Sequence, residues 1–166
     1  MVASEAGPLA LLAGGSVGEA LRLISGGGVA LYARLVALLG NGKGVERPGM
    51  VSLADMVAGR GSEARYELVV RLTLTLVGRL ARHAATGSAS DLGASDQYGA
   101  EAGPGEAALM AAVARNQAQA ALWAEAAGRA AAATSHARAV NLDPGQTIID
   151  TFLDLDTTLT RARGMA

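Results

Sequence analysis

The sequence predicts an all-α domain, a helical bundle preceded by one or two short helices, and three observations lead there. Of 166 residues, 37 are Ala, 22 Leu and 22 Gly, so about half the chain consists of two strong helix formers and the residue that ends helices. Only one Phe, one Trp and three Tyr are present, too few for the aromatic and β-branched interior of a sandwich or barrel. Apolar residues recur at steps of three and four in segments separated by Gly-rich breaks.

Each element has its own signal. Leu9, Leu11 and Leu12 form a short helix that Gly14-Gly15 stops. Ser16 with Glu19 is a capping box, the hydroxyl accepting from the Glu19 amide and the carboxylate reaching back, and Leu21 and Ile24 supply the apolar face of the helix that follows. Three glycines, Gly26 to Gly28, end it. Leu31, Leu35, Leu38 and Leu39 then repeat at helical spacing with Arg34 on the polar side. After the Gly40 to Gly44 turn, Ser52 with Asp55 predicts a cap for a helix over Leu53 to Ala58.

Ser62 opens the most apolar helix, in which Leu68, Val69, Val70, Leu72, Leu74, Leu76, Val77 and Leu80 leave almost no polar face, so it belongs at the bundle centre. Thr86 to Gly105, with Asp91, Asp96 and Glu101 and no Lys or Arg, reads as a long solvated loop. Glu106 to His136 is predicted as one Ala-rich helix. Its seam is Met110, Val113, Gln117, Ala120, Ala124, Ala127 and Ala131, suited to close packing. Asp143-Pro144 starts the last helix, with Ile148, Phe152, Leu155 and Leu159 as its core stripe and Arg161 and Arg163 at its negative end.

A net charge of −1 gives no basic field for nucleic acid or a membrane surface. The absence of Cys removes disulfides, thiol nucleophiles and thiolate metal sites, which suits a reducing compartment. The longest apolar run, Val29 to Leu39, is too short to span a bilayer, and the N-terminus lacks the positive segment of a secretory signal; a cytoplasmic location is expected.

Chemistry-bearing residues are few. His83, beside Arg79 and Arg82, and His136 fall near helix ends and read as partners of terminal carbonyls. Asp150 and Asp154 share a helix face at metal-ligand spacing, yet no His accompanies them and Asp156 points elsewhere, so they read as solvated. Gly40-Asn41-Gly42-Lys43-Gly44 lacks the hydroxyl residue and preceding strand of a phosphate loop and reads as a flexible turn. Arg71, Arg79 and Arg82 read as bundle-surface or subunit-contact residues, and Trp123 and Gln117 as a core position or a partner anchor.

The stretch Leu9 to Leu23, with its Gly-Ser-x-Gly-x-Ala-Leu core, resembles the second-sensor region of clamp-loader ATPase-family proteins. ATP-hydrolysing members carry an arginine at the position of Gly18; a glycine there is similar to the delta-prime subunits of the bacterial DNA polymerase III clamp loader. Ala58 to Tyr66 leading into a Leu-rich helix, and His136 to Pro144 before the last helix, also resemble that family, so the likeness runs over about residues 9 to 163. The acidic, Gly-rich loop and the high Ala content depart from it.

The resemblance implies a C-terminal region made of a lid remnant (1–28) and a helical collar-like oligomerisation domain (29–166). It implies a non-catalytic assembly role in loading the sliding clamp during DNA replication. It further implies a degenerate second-sensor motif at Ser16, Gly18 and Glu19 with no catalytic residue, cofactor or metal. The implied partners are the tau/gamma and delta subunits, with DNA and the sliding clamp reached only through the whole complex. The alternative is a stand-alone helical adaptor that binds a partner helix; a metal-dependent enzyme using Asp150 and Asp154 ranks third.

Overall fold

The computed structural model describes residues 5–86 and 101–165, which form eight α-helices and no strand. The order is α1 (Ala6–Ala13), α2 (Val17–Gly26), α3 (Gly28–Leu38), α4 (Arg47–Val57), α5 (Glu63–Thr86), α6 (Glu106–Val113), α7 (Gln117–Ala139) and α8 (Pro144–Gly164). The architecture is an all-α bundle, as its composition dictates. No single described helix is long and apolar enough to cross a membrane.

Helix α5 runs through the middle, packed against α3, α4, α6 and α7, while α8 closes the bundle against α4, α6 and α7. Its central place follows from its sequence, because Leu68, Val69, Leu72, Leu76, Val77 and Leu80 are all buried. The stripe Ile148, Phe152, Leu155 and Leu159 on α8 faces this core as its spacing requires. Leu9, Leu12, Ala13 and Leu23 of the two short leading helices belong to the same continuous apolar cluster.

Helix ends obey local chemistry, with departures from the sequence expectation at the starts of α4 and α2. Helix α4 begins six residues early: Glu46 is its cap, Oε2 accepting from the Gly49 amide at 2.7 Å, and Pro48 sits in its first turn. Ser52 and Asp55 are exposed inside that helix and cap nothing. The Ser16 cap forms, with Oγ accepting from the Glu19 amide at 3.3 Å, but only half of the box is made. The Ser16 amide donates to Ala13 O, and the Glu19 carboxylate turns to Arg71. Ser62 donates its hydroxyl back to the carbonyls of Val57 and Gly59.

The long Ala-rich helix is two helices. It breaks at Ala114–Asn116, where Asn116 Oδ1 accepts from the Gln119 amide at 2.9 Å and restarts the chain as α7. Buried Gln119 locks the break: Oε1 accepts from the Arg115 amide and Nε2 donates to Ala162 O at 2.8 Å. Trp123 packs fully buried at the corner, its Nε1 donating to Val113 O at 2.8 Å, so it is a core residue. The break also resets the helix phase. The buried residues of α7 are Gln119, Ala120, Leu122, Trp123, Ala126, Ala130, Thr134 and Ala137; of the expected seam, Ala120 is buried and Ala127 packs against the core, whereas Gln117, Ala124 and Ala131 are exposed.

Residues 87–100 of the expected loop, with Asp91 and Asp96, lie outside the described residues. Its final part is solvated only in part: Glu101 and Pro104 are exposed, but Ala102 is buried, and Gly103 passes so close to α3 that a Cβ would sit 3.0 Å from the Tyr32 ring. The Gly40 to Gly44 turn is also held in place. Gly40–Gly42 forms one 3-10 turn, and Gly42, at φ +79°, packs where a Cβ would meet Val113 and Ala112 of α6 at 2.9 and 3.0 Å. Asp156 of α8 fixes the chain just beyond by accepting from the Val45 amide at 2.8 Å.

Candidate functional site

The degenerate second-sensor residues lie on α2 and at its start. Gly18 is exposed with open space around the position of a Cβ, so it offers no side chain to any ligand. Ser16 is occupied in capping. Glu19 accepts from Arg71 at 2.9 Å and lies 3.6 Å from Arg22, which ties α2 to the central helix. Arg65 adds a second tie by donating to Gly26 O at the other end of α2.

These ties decide which way α2 faces. Leu23 is its single buried residue, and Glu19 and Gly26 lie on the same side toward α5. Val17, Leu21 and Ile24, at the spacing i, i+4, i+7, therefore point away from the bundle, at 75%, 63% and 51% exposure. The apolar face that the sequence marks for packing is the solvent face of this helix.

The buried polar centre lies elsewhere, and no spacing pattern in the sequence marks it. Glu106, wholly inaccessible to solvent, accepts from Arg79 Nε at 2.6 Å and Nη2 at 3.2 Å, from the Tyr32 hydroxyl at 2.5 Å and from the Ala102 amide at 2.7 Å. Arg79 is thus neither a surface nor a subunit-contact residue but the buried half of an ion pair joining α3, α5 and α6. Burial, the negative charge of Glu106 and its hydrogen bond keep Tyr32 protonated, pushing its pKa far up. Burial pulls Arg79 down, but the bonds and attraction of Glu106 outweigh it and hold the guanidinium above its usual value. His83, half-buried, is shifted down by burial and then by the Arg79 charge.

The two candidate metal-ligating acids have structural partners. Asp154 pairs with Arg129 of α7 at 3.0 Å, and Asp150 accepts from the Gln146 amide group at 2.8 Å. Among the described residues no three His, Cys, Asp or Glu side chains are arranged to hold a metal ion. Asp156, on a different face of α8, holds the Lys43 to Arg47 connection.

An open groove of about 760 Å³ runs between α5 and α7, with Val70, Leu74 and Ala131 among its lining and Arg71, Arg82 and Arg138 around them. No protein-family model, curated protein or solved structure matches this chain.

Proposed function

We propose that this chain is a non-catalytic assembly domain, the lid-remnant and collar portion of a clamp-loader delta-prime subunit. In that role it helps to hold the subunit ring that loads the sliding clamp onto DNA in replication. The observation that carries the reading is the outward stripe of Val17, Leu21 and Ile24 on the segment that resembles the second-sensor helix. In a lid domain that helix packs against further lid helices, and an aliphatic face left in water by the rest of this chain is what such a helix presents without them. Gly18, where nucleotide-sensing relatives of the family carry arginine, fits a subunit that does not read phosphate.

The bundle suits a static role for a second reason. Its central ion pair, Arg79 with Glu106, is consumed in joining three helices and is closed to solvent. On this reading residues 1–28 dock to lid helices, and helices from 29 onward contact neighbouring subunits, tau/gamma and delta, in the cytoplasm.

The test mixes the chain with purified tau/gamma and delta subunits of polymerase III and follows co-elution by size exclusion, with ATP hydrolysis measured alongside. The reading expects a stable complex with no hydrolysis contributed by this chain. A monomer that ignores both subunits would overturn it and favour the stand-alone adaptor.

A further inference from the structure

Beyond that reading, and independently of it, we infer that the groove between α5 and α7 is a docking site for an acidic amphipathic helix of a partner protein.

Charge is the first argument. The groove carries three guanidinium groups, Arg71, Arg82 and Arg138, against one carboxylate, Glu67, on a chain whose net charge is −1. The cations are incompletely used. Arg71 gives Nη1 to Glu19, but its Nε is buried without a hydrogen-bond partner. Arg82 makes no ion pair among the described residues, and Arg138 meets only Glu67, in a pair exposed on both sides. A pair of that kind contributes little and exchanges readily for another carboxylate.

Shape is the second. Arg71 and Arg82 are eleven residues apart on α5, which is three helical turns, so they share a face about 16 Å apart along the axis. Between them the groove is floored by Leu74 and Thr75, with Val70 beside Arg71 and Ala131 opposite. That separation exceeds the reach of one carboxylate or phosphate, and the apolar floor asks for aliphatic side chains between two anionic ends. A helix with acidic residues eleven apart, flanking a leucine stripe, supplies both.

The wall of α7 is the third. Ala124, Gly128 and Ala131 are exposed at the spacing i, i+4, i+7. Small side chains there let a third helix approach to about 8–10 Å between axes. Of this small-residue face of α7, unused by the interior, Ala131 lines the groove.

The experiment uses the full chain and a fluorescein-labelled peptide of about five helical turns, leucine-rich, with two Glu eleven residues apart. Fluorescence anisotropy at low and high salt should show binding that weakens with salt. Arg82→Glu and, separately, Ala131→Glu should each weaken it about ten-fold or more. Arg60→Glu, outside the groove, should leave it unchanged, and circular dichroism should show all three variants folded. A peptide with Lys in place of the two Glu should bind Arg82→Glu better than the parent chain. The inference is overturned if the acidic peptide does not bind, if Arg82→Glu and Ala131→Glu bind it like the parent, or if a single-stranded oligothymidine binds the groove more tightly.

Discussion

Glu106→Gln isolates the energetics of the buried centre. The substitution keeps volume and shape but removes the charge that neutralises Arg79, whose side chain is only 8% exposed. The carboxylate accepts from four donors. An amide presents one oxygen and one NH2 group, so whichever way it turns, the NH2 faces N–H donors. With the amide oxygen toward Arg79 Nε and Tyr32, the NH2 opposes Arg79 Nη2 and the Ala102 amide. Breaking a buried pair by removing one partner costs about 3–5 kcal/mol, because the remaining charge stays dehydrated. A domain of this size has about 5–15 kcal/mol in total, so about a fifth or more of its stability is at stake. At about 2–4 °C per kcal/mol, Tm should fall by about 6–20 °C in thermal unfolding followed by far-UV circular dichroism. The combination Tyr32→Phe, Arg79→Met, Glu106→Leu removes the three polar side chains, leaves the Ala102 amide without its acceptor and should recover part of that loss. A Glu106→Gln protein within about 2 °C of the parent would refute this account of the ion pair.

Four other outcomes follow from the structure. The raised pKa of Tyr32 means that the folded state keeps a proton the unfolded state releases; stability is complete below about pH 10 and falls above it, by at most about 1.4 kcal/mol per pH unit. Alkaline chemical denaturation should show that slope, and Tyr32→Phe should flatten it. His83 has the opposite sign: its lowered pKa gives stability present above about pH 6.5 and lost on acidification, a loss that His83→Gln should remove. On α2, Leu23→Ala should cost about 2–5 kcal/mol in urea denaturation, whereas Leu21→Asp should stay within about 0.5 kcal/mol; an equal cost for the two would mean that the stripe is not outward. At the α6–α7 break, Asn116→Ala should cost about 1 kcal/mol by loss of the cap, and Gln119→Leu about 1–3 kcal/mol by leaving the Arg115 amide without its acceptor and the Ala162 carbonyl with only the Met165 amide.

Features set by neighbours in sequence were legible before the fold was known. The all-α class, the central position of α5, the stops at Gly14 and Gly26 to Gly28, the Asp143-Pro144 start and the α8 core stripe depend on propensity, capping and periodicity within one helix. The exposed pair Gln146–Asp150 is likewise local. The faces of α2 and α7 were not. In α2 both Leu23 and the Val17, Leu21, Ile24 stripe are consistent with burial, and the choice between them was made by Arg71 and Arg65, 52 and 39 residues away from their partners. In α7 a cap at Asn116 competes with continuous Ala propensity, and Gln119 decides it by reaching Ala162 on α8.

The sequence by itself thus determined which segments are helical and which one is most apolar, because those are sums of local preferences. Only the tertiary structure decided that Arg79 is buried, that Glu106 is its partner and that the aliphatic face of α2 is left in water. A charged residue enters a core only where another element delivers its counter-charge, and Glu106 arrives 27 residues later in the chain. A helix turns its apolar face outward only where polar contacts on its other side hold it there. Both are properties of what lies across the interface, and no periodicity within a helix records them.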